Sequence, residues 1–85
     1  MKNGLITNSY GVKEYWLNDD YHREDGPAVE FENGDVFYYV YGQLHRLDGP
    51  AVINGNVQEW WVKGKRILAS TQEEFEKMLK LKAFL

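Results

Sequence analysis

Cysteine is absent from the chain, which removes both a disulfide framework and any thiolate metal site. Proline occurs only twice, and no apolar run approaches the length that crosses a membrane as a helix. The N-terminus lacks a basic stretch followed by an apolar one, so no secretory leader is expected and a cytoplasmic location is. Basic side chains are scarce as well: 10 Lys and Arg stand against 13 Asp and Glu, a net charge of -3. The deficit lies at one end, because residues 1–36 carry three basic and eight acidic side chains while the remainder nets +2. A general nucleic-acid binder needs clustered cations, so direct nucleic-acid binding is not expected. The acidic end either keeps a small protein soluble or meets a basic partner.

What the chain has in plenty is aromatic surface, with six Tyr, four Phe and three Trp in 85 residues. At this length a single core is hard to complete without help, and oligomerisation is one source of it. The other source is repetition. His-Arg-x-Asp-Gly-Pro-Ala-Val occurs at 22–29 and again at 45–52, a spacing of 23. Superposing the copies reveals three units. The first runs Glu14-Tyr15-Trp16-Leu17, turns at Asn18-Asp19-Asp20 and reaches Tyr21-His22-Arg23. The second runs Phe37-Tyr38-Tyr39-Val40, turns at Tyr41-Gly42-Gln43 and reaches Leu44-His45-Arg46. The third runs Glu59-Trp60-Trp61-Val62, turns at Lys63-Gly64-Lys65 and reaches Arg66-Ile67, where the His-Arg pair is lost.

Asn33-Gly34 and Asn54-Gly55 fall between β-rich runs, and Asn-Gly signals a primed hairpin turn with positive φ at both central residues. The glycine of each Asp-Gly-Pro precedes a proline and must accept an extended backbone there. Period-2 alternation sorts the side chains into two faces. Tyr15, Leu17, Val36, Tyr38, Val40, Trp60 and Val62 form the expected core face. The other face stacks Trp16, Tyr39 and Trp61 from consecutive units into an aromatic ladder. At the C-terminus, Ser70 and Glu73 make a capping-box pattern and predict a helix over about 71–82. Phe75, Met78 and Leu79, with Leu81, Phe84 and Leu85 beyond, give that helix an apolar side, which either caps the sheet or joins two protomers.

His22 with Asp25, and His45 with Asp48, are the natural acid–base candidates, but neither pair has an accompanying nucleophile. Their recurrence on successive units favours a structural turn built from His22, Asp25, Gly26 and Pro27, and from His45, Asp48, Gly49 and Pro50. In that turn Asp bonds backbone amides and His meets a strand carbonyl or the proline. Two histidines 23 residues apart are weakly constrained as zinc ligands, so neither a metal nor a cofactor is expected. Arg23 and Arg46 are either paired with local acids such as Glu24 or Asp20, or aligned to present two guanidinium forks to an anion. With Trp16, Tyr39 and Trp61 as stacking surfaces, the second arrangement suits a nucleotide-type ligand held between repeats or protomers.

The two His-Arg-x-Asp-Gly-Pro-Ala stretches, each set between an aromatic strand and an Asn-Gly hairpin, resemble short repeats of small bacterial and phage proteins. They are similar in outline to MORN-like β-hairpin repeats, over roughly residues 11–67, although Gly-Pro-Ala departs from the ordinary MORN pattern. The resemblance implies a repetitive antiparallel β-hairpin meander. The expected fold is therefore mainly β, with sheet over residues 1–69 (units at about 11–23, 34–46 and 55–67) and one C-terminal α-helix over 70–85. The expected function is a phage-encoded, non-enzymatic interaction module that binds and inhibits a host defence protein. An anionic-nucleotide sponge is the alternative, and a His/Asp-dependent hydrolase the third reading.

Overall fold

The computed structural model describes residues 1–81 of the chain. Ten short strands precede one helix: β1 (Gly4–Thr7), β2 (Lys13–Leu17), β3 (Asp20–Tyr21), β4 (Val29–Glu30), β5 (Val36–Phe37), β6 (Tyr39–Val40), β7 (Gln43–Leu44), β8 (Val52–Asn54), β9 (Val57–Val62), β10 (Lys65–Ile67) and α1 (Gln72–Leu81). All pairings are antiparallel, and the main sheet runs β1-β2-β4-β5-β8-β9-β10, with β3 against β2 and with β6–β7 as a separate hairpin. The fold is thus the expected hairpin meander with one C-terminal helix. The first half of each unit's aromatic run pairs with strands of the neighbouring units or connecting segments, and the second half pairs with the short strand after its own turn. One strand was not anticipated: Gly4-Leu5-Ile6-Thr7, which pairs with Lys13–Trp16 at the start of the meander. The molecule is elongated, 41 × 27 × 17 Å, because units add along one direction.

Turn chemistry differs from the expectation at the Asn-Gly sites. Positive φ at both central residues occurs instead at Asn18-Asp19 (49° and 69°), Tyr41-Gly42 (48° and 77°) and Lys63-Gly64 (49° and 80°). These are the two-residue primed turns that match strand twist. At Asn33-Gly34 only the glycine has positive φ, and the Phe31 amide bonds the Asp35 carbonyl across a three-residue loop. The loop at Asn8–Val12 is closed in the same way, with Gly11 as the positive-φ residue. At Asn54-Gly55 the loop is Gly55-Asn56, again with positive φ only at the glycine. Tyr41 and Lys63 carry a strain that ordinary side chains avoid, so something outside the turn must hold them there.

The helix starts one residue later than its sequence cap implied. Thr71, not Ser70, is the cap: its Oγ1 accepts the Glu74 amide at 3.1 Å. Glu73 and Glu74 occupy the first turn and Lys80 the last, in keeping with the helix dipole. The expectations for the helix end at residue 82 and for Phe84 and Leu85 fall outside the described residues. Phe75 is fully buried against Trp60, Val62 and Ile67, with Ala69, Met78 and Leu79 half-buried around them. The helix therefore covers the third unit of its own chain. Of the expected core face, Trp60 and Val62 are buried, whereas Tyr15, Leu17, Val36, Tyr38 and Val40 are only half-buried. The reason is reach: α1 lies over the third unit, and the first two obtain their cover from the repeated motif.

Candidate functional site

Every residue type in the motif has a local physical role, and the two copies repeat it closely. Arg23 lies over the Tyr15 ring and Arg46 over the Tyr38 ring, each with its guanidinium carbon 4.0 Å from the ring centroid. The Arg23 Nε donates to Asp25 at 3.0 Å and the Arg46 Nε to Asp48 at 2.8 Å. One Nη of each donates to the carbonyl of the motif's proline, Pro27 or Pro50, at 3.1 Å. Arg23 also reaches Glu30 at 3.3 Å. The acids that pair with the arginines are thus those within the motif, together with Glu30, and not Glu24 or Asp20.

The motif's glycine is explained by the same guanidinium. Gly26 and Gly49 lack positive φ, so no left-handed backbone requires them. A Cβ on Gly49 would lie 2.6 Å from the Arg46 Cζ, and one on Gly26 would lie 2.9 Å from the Arg23 Cζ. The guanidinium is held between a tyrosine ring and a bare backbone. Ala28 and Ala51, which follow the prolines, have no exposed surface, and Val29 and Val52 are buried beside them.

The histidines reach forward to the next unit. The His22 Nδ1 accepts the Tyr41 amide at 2.8 Å, and the His45 Nδ1 accepts the Lys63 amide at 3.1 Å. Both donors are first residues of the strained primed turns. Backbone bonds reinforce each joint: Arg23 N to Tyr39 O and Gly42 N to Tyr21 O at one, Arg46 N to Trp61 O and Gly64 N to Leu44 O at the other. The sequence suggested a carbonyl or the proline as the histidine's partner, but the imidazole is an acceptor. A neutral ring that accepts at Nδ1 carries its proton on Nε2, leaving no free lone pair for general-base work. Burial, and then the charge of Lys63, hold the His45 pKa below its ordinary value. Asp48 is held below the usual carboxylate range by the hydrogen bond from Arg46 and by its charge.

Two further residues complete the pattern without having been singled out from sequence. At the first turn the Asn3 Oδ1 accepts the Asn18 amide at 2.8 Å, and the Lys2 carbonyl accepts the Asp19 amide. Asn3 does there what His22 and His45 do at later turns. At the third unit, where the arginine position is occupied by exposed Leu68, the Trp60 ring packs on Phe75 and its Nε1 donates to Gln72 at 2.7 Å. The signal for Tyr15 and Tyr38 was present as an eight-residue spacing to each arginine, lost together with the tyrosine in unit three.

Strand register places Trp16, Tyr39 and Trp61 on one face of the sheet. Glu14, Val29, Phe37, Val52 and Glu59 are successive cross-strand partners, and the three aromatics stand two residues after Glu14, Phe37 and Glu59, with Tyr39 at the start of β6, where its ring meets Tyr21. All three rings are half-buried, and α1 packs on the opposite face. The stack differs from a simple ladder, because Tyr21 lies between Trp16 (4.4 Å between centroids) and Tyr39 (5.1 Å). Indole nitrogens are tied down: Trp16 Nε1 to Glu14 at 3.3 Å and Trp61 Nε1 to Glu59 at 3.0 Å.

Arg23 and Arg46 do border a common recess of about 500 Å³, which Tyr38 and His45 also line. Glu24, Asp25 and Asp48 line it too, so three carboxylates offset two guanidinium groups, each of which already donates from its Nε and one Nη within the motif. A phosphate placed there would meet more negative than positive charge. Among the described residues, no cluster of three or more His, Asp or Glu is arranged to hold a metal ion, and no helix is long and apolar enough to cross a membrane. No family model, curated protein or solved structure matches the chain.

Proposed function

We propose that this chain is a non-enzymatic interaction module that binds a host protein through the sheet face carrying Trp16, Tyr39 and Trp61. The observation that carries the reading is the division of labour between residues. The motif's His, Arg and Asp are consumed in holding the array together, whereas the three aromatics share the face opposite the one on which α1 packs. Aromatic side chains fixed in place lose little entropy on contact and supply much of the energy of protein interfaces. The acidic first 36 residues favour a basic region on the partner. The likeness of the repeats to those of small phage and bacterial proteins supports the narrower form of the proposal, inhibition of a host defence protein.

The test is affinity capture from host lysate, comparing the natural chain with Trp16→Ser and Tyr39→Ser variants and checking each by circular dichroism. A partner retained by the natural chain and lost by both folded variants supports the module. Equal capture by all three contradicts it, as does a purified variant that no longer folds, since that would make the rings core.

A further inference from the structure

At the acidic end of the aromatic face, two neighbouring hairpin tips stand either side of a groove of about 490 Å³. Its walls include the rings of Tyr10, Tyr21 and Phe31, and two carboxylates, Glu14 and Glu32, border it. Among the described residues that line it there is no lysine or arginine. Tyr10 is 84% exposed and Phe31 40%, so both rings are open to a contact from outside the chain. Neither tip is loose. The Asn8 Oδ1 accepts the amides of Tyr10 (2.8 Å) and Val12 (3.2 Å), and Phe31 is fixed by its backbone bond to Asp35 and by its edge contact with Phe37 at 5.8 Å.

We infer that this groove receives a lysine or arginine side chain from a basic segment of the partner protein. Aromatic walls attract a cation through the negative faces of their rings, and carboxylates at the rim complete its charge pairing. The same face already shows the contact within the chain, where the Lys2 ammonium rests 4.4 Å from the Trp16 ring centroid. Glu14 is oriented for the role by the Trp16 Nε1 and by the Tyr21 hydroxyl at 3.4 Å. Burial, and then the Glu14 charge, push the Tyr21 pKa up, so the phenol stays neutral and keeps its proton to donate. The surplus of five negative charges over residues 1–36 steers such a segment to this end of the molecule. The inference rests on the interaction-module reading and specifies the chemistry of the partner.

The test uses a labelled peptide of alternating arginine and glycine, with its neutral citrulline counterpart, against the full chain in fluorescence anisotropy and amide NMR. The expected result is saturable binding of the arginine peptide alone, with shifts concentrated in residues 10–12 and 31–34. Tyr10→Ala should weaken it about two- to fivefold, the loss an exposed cation–π contact implies. Adding Glu32→Gln should bring the loss to about tenfold. Glu73→Gln with Glu74→Gln, on the distant helix, should leave the affinity unchanged. Non-saturating binding, or an equal loss from the helix pair, would overturn the inference. Partner capture that survives Tyr10→Ala with Glu32→Gln but fails with Trp16→Ser overturns the groove alone. Capture insensitive to either set overturns the module as well.

Discussion

At Arg46 a tyrosine ring, a carboxylate, a carbonyl and a bare glycine backbone converge on one guanidinium. Such a side chain stabilises by packing and by hydrogen bonding together, and its stem covers apolar surface away from α1. Arg46→Ala is expected to destabilise the fold by about 2 kcal/mol, read from urea unfolding, with Arg46→Lys recovering only part of it. His45 adds a pH dependence whose sign follows from the geometry. His45 is held below its ordinary pKa of about 6.5 in the fold, so the unfolded chain takes the proton first as pH falls. Its contribution is therefore complete above about pH 6.5 and is lost as pH falls toward the lowered folded value. A second loss follows at lower pH, where Asp48, held below its ordinary value by Arg46, is protonated. Amide exchange at Lys63 should accelerate, beyond its intrinsic rate, as His45 is protonated. An Lys63 amide whose protection is constant from pH 8 to pH 5 would contradict the acceptor role.

The helix and the arginine staple are two solutions to the same problem at the scale of the element. Tyr15 and Tyr38 are covered by Arg23 and Arg46, while Trp60, next in the series, is covered by Phe75. Phe75→Ala is expected to cost about 3–5 kcal/mol by urea unfolding, a large share of the stability of a domain this size. Thr71→Ala, which removes the cap, should cost about 1 kcal/mol, and Ser70→Ala little. An equal effect at Ser70 and Thr71 would contradict the observed helix start. The strands, the faces and the presence of the helix were legible because period-2 alternation and apolar spacing are local properties. The positions of the primed turns were less so. Asn-Gly is the favoured pair for such a turn by intrinsic preference, yet the positive φ at Tyr41 and Lys63 depends on an imidazole 19 and 18 residues away. Strand β1 was missed because Gly4-Leu5-Ile6-Thr7 has no partner motif in the repeat, and Asn3 because an asparagine there has the histidine's role without its name.

Across the whole molecule, each unit bonds to its neighbour through one or two side-chain acceptors and a few backbone pairs, so energetic coupling is short-ranged. Asn3→Ala should raise amide exchange at Asn18 and Asp19 while leaving protection around Trp60 and Phe75 unchanged. Uniform loosening would show that the array does not behave as joined units. This arrangement also separates support from recognition, with the motif on the joints and the aromatic face and acidic groove open to a partner. The central claim is that His-Arg-x-Asp-Gly-Pro-Ala is a joint whose glycine exists to admit the arginine. A double-mutant cycle on Arg46 and Gly49, followed by urea unfolding, tests it most directly. Gly49→Ala alone is predicted to cost about 1–3 kcal/mol through overpacking against the guanidinium, and close to nothing once Arg46→Ala has removed that group. Strictly additive costs for the two substitutions would contradict the account.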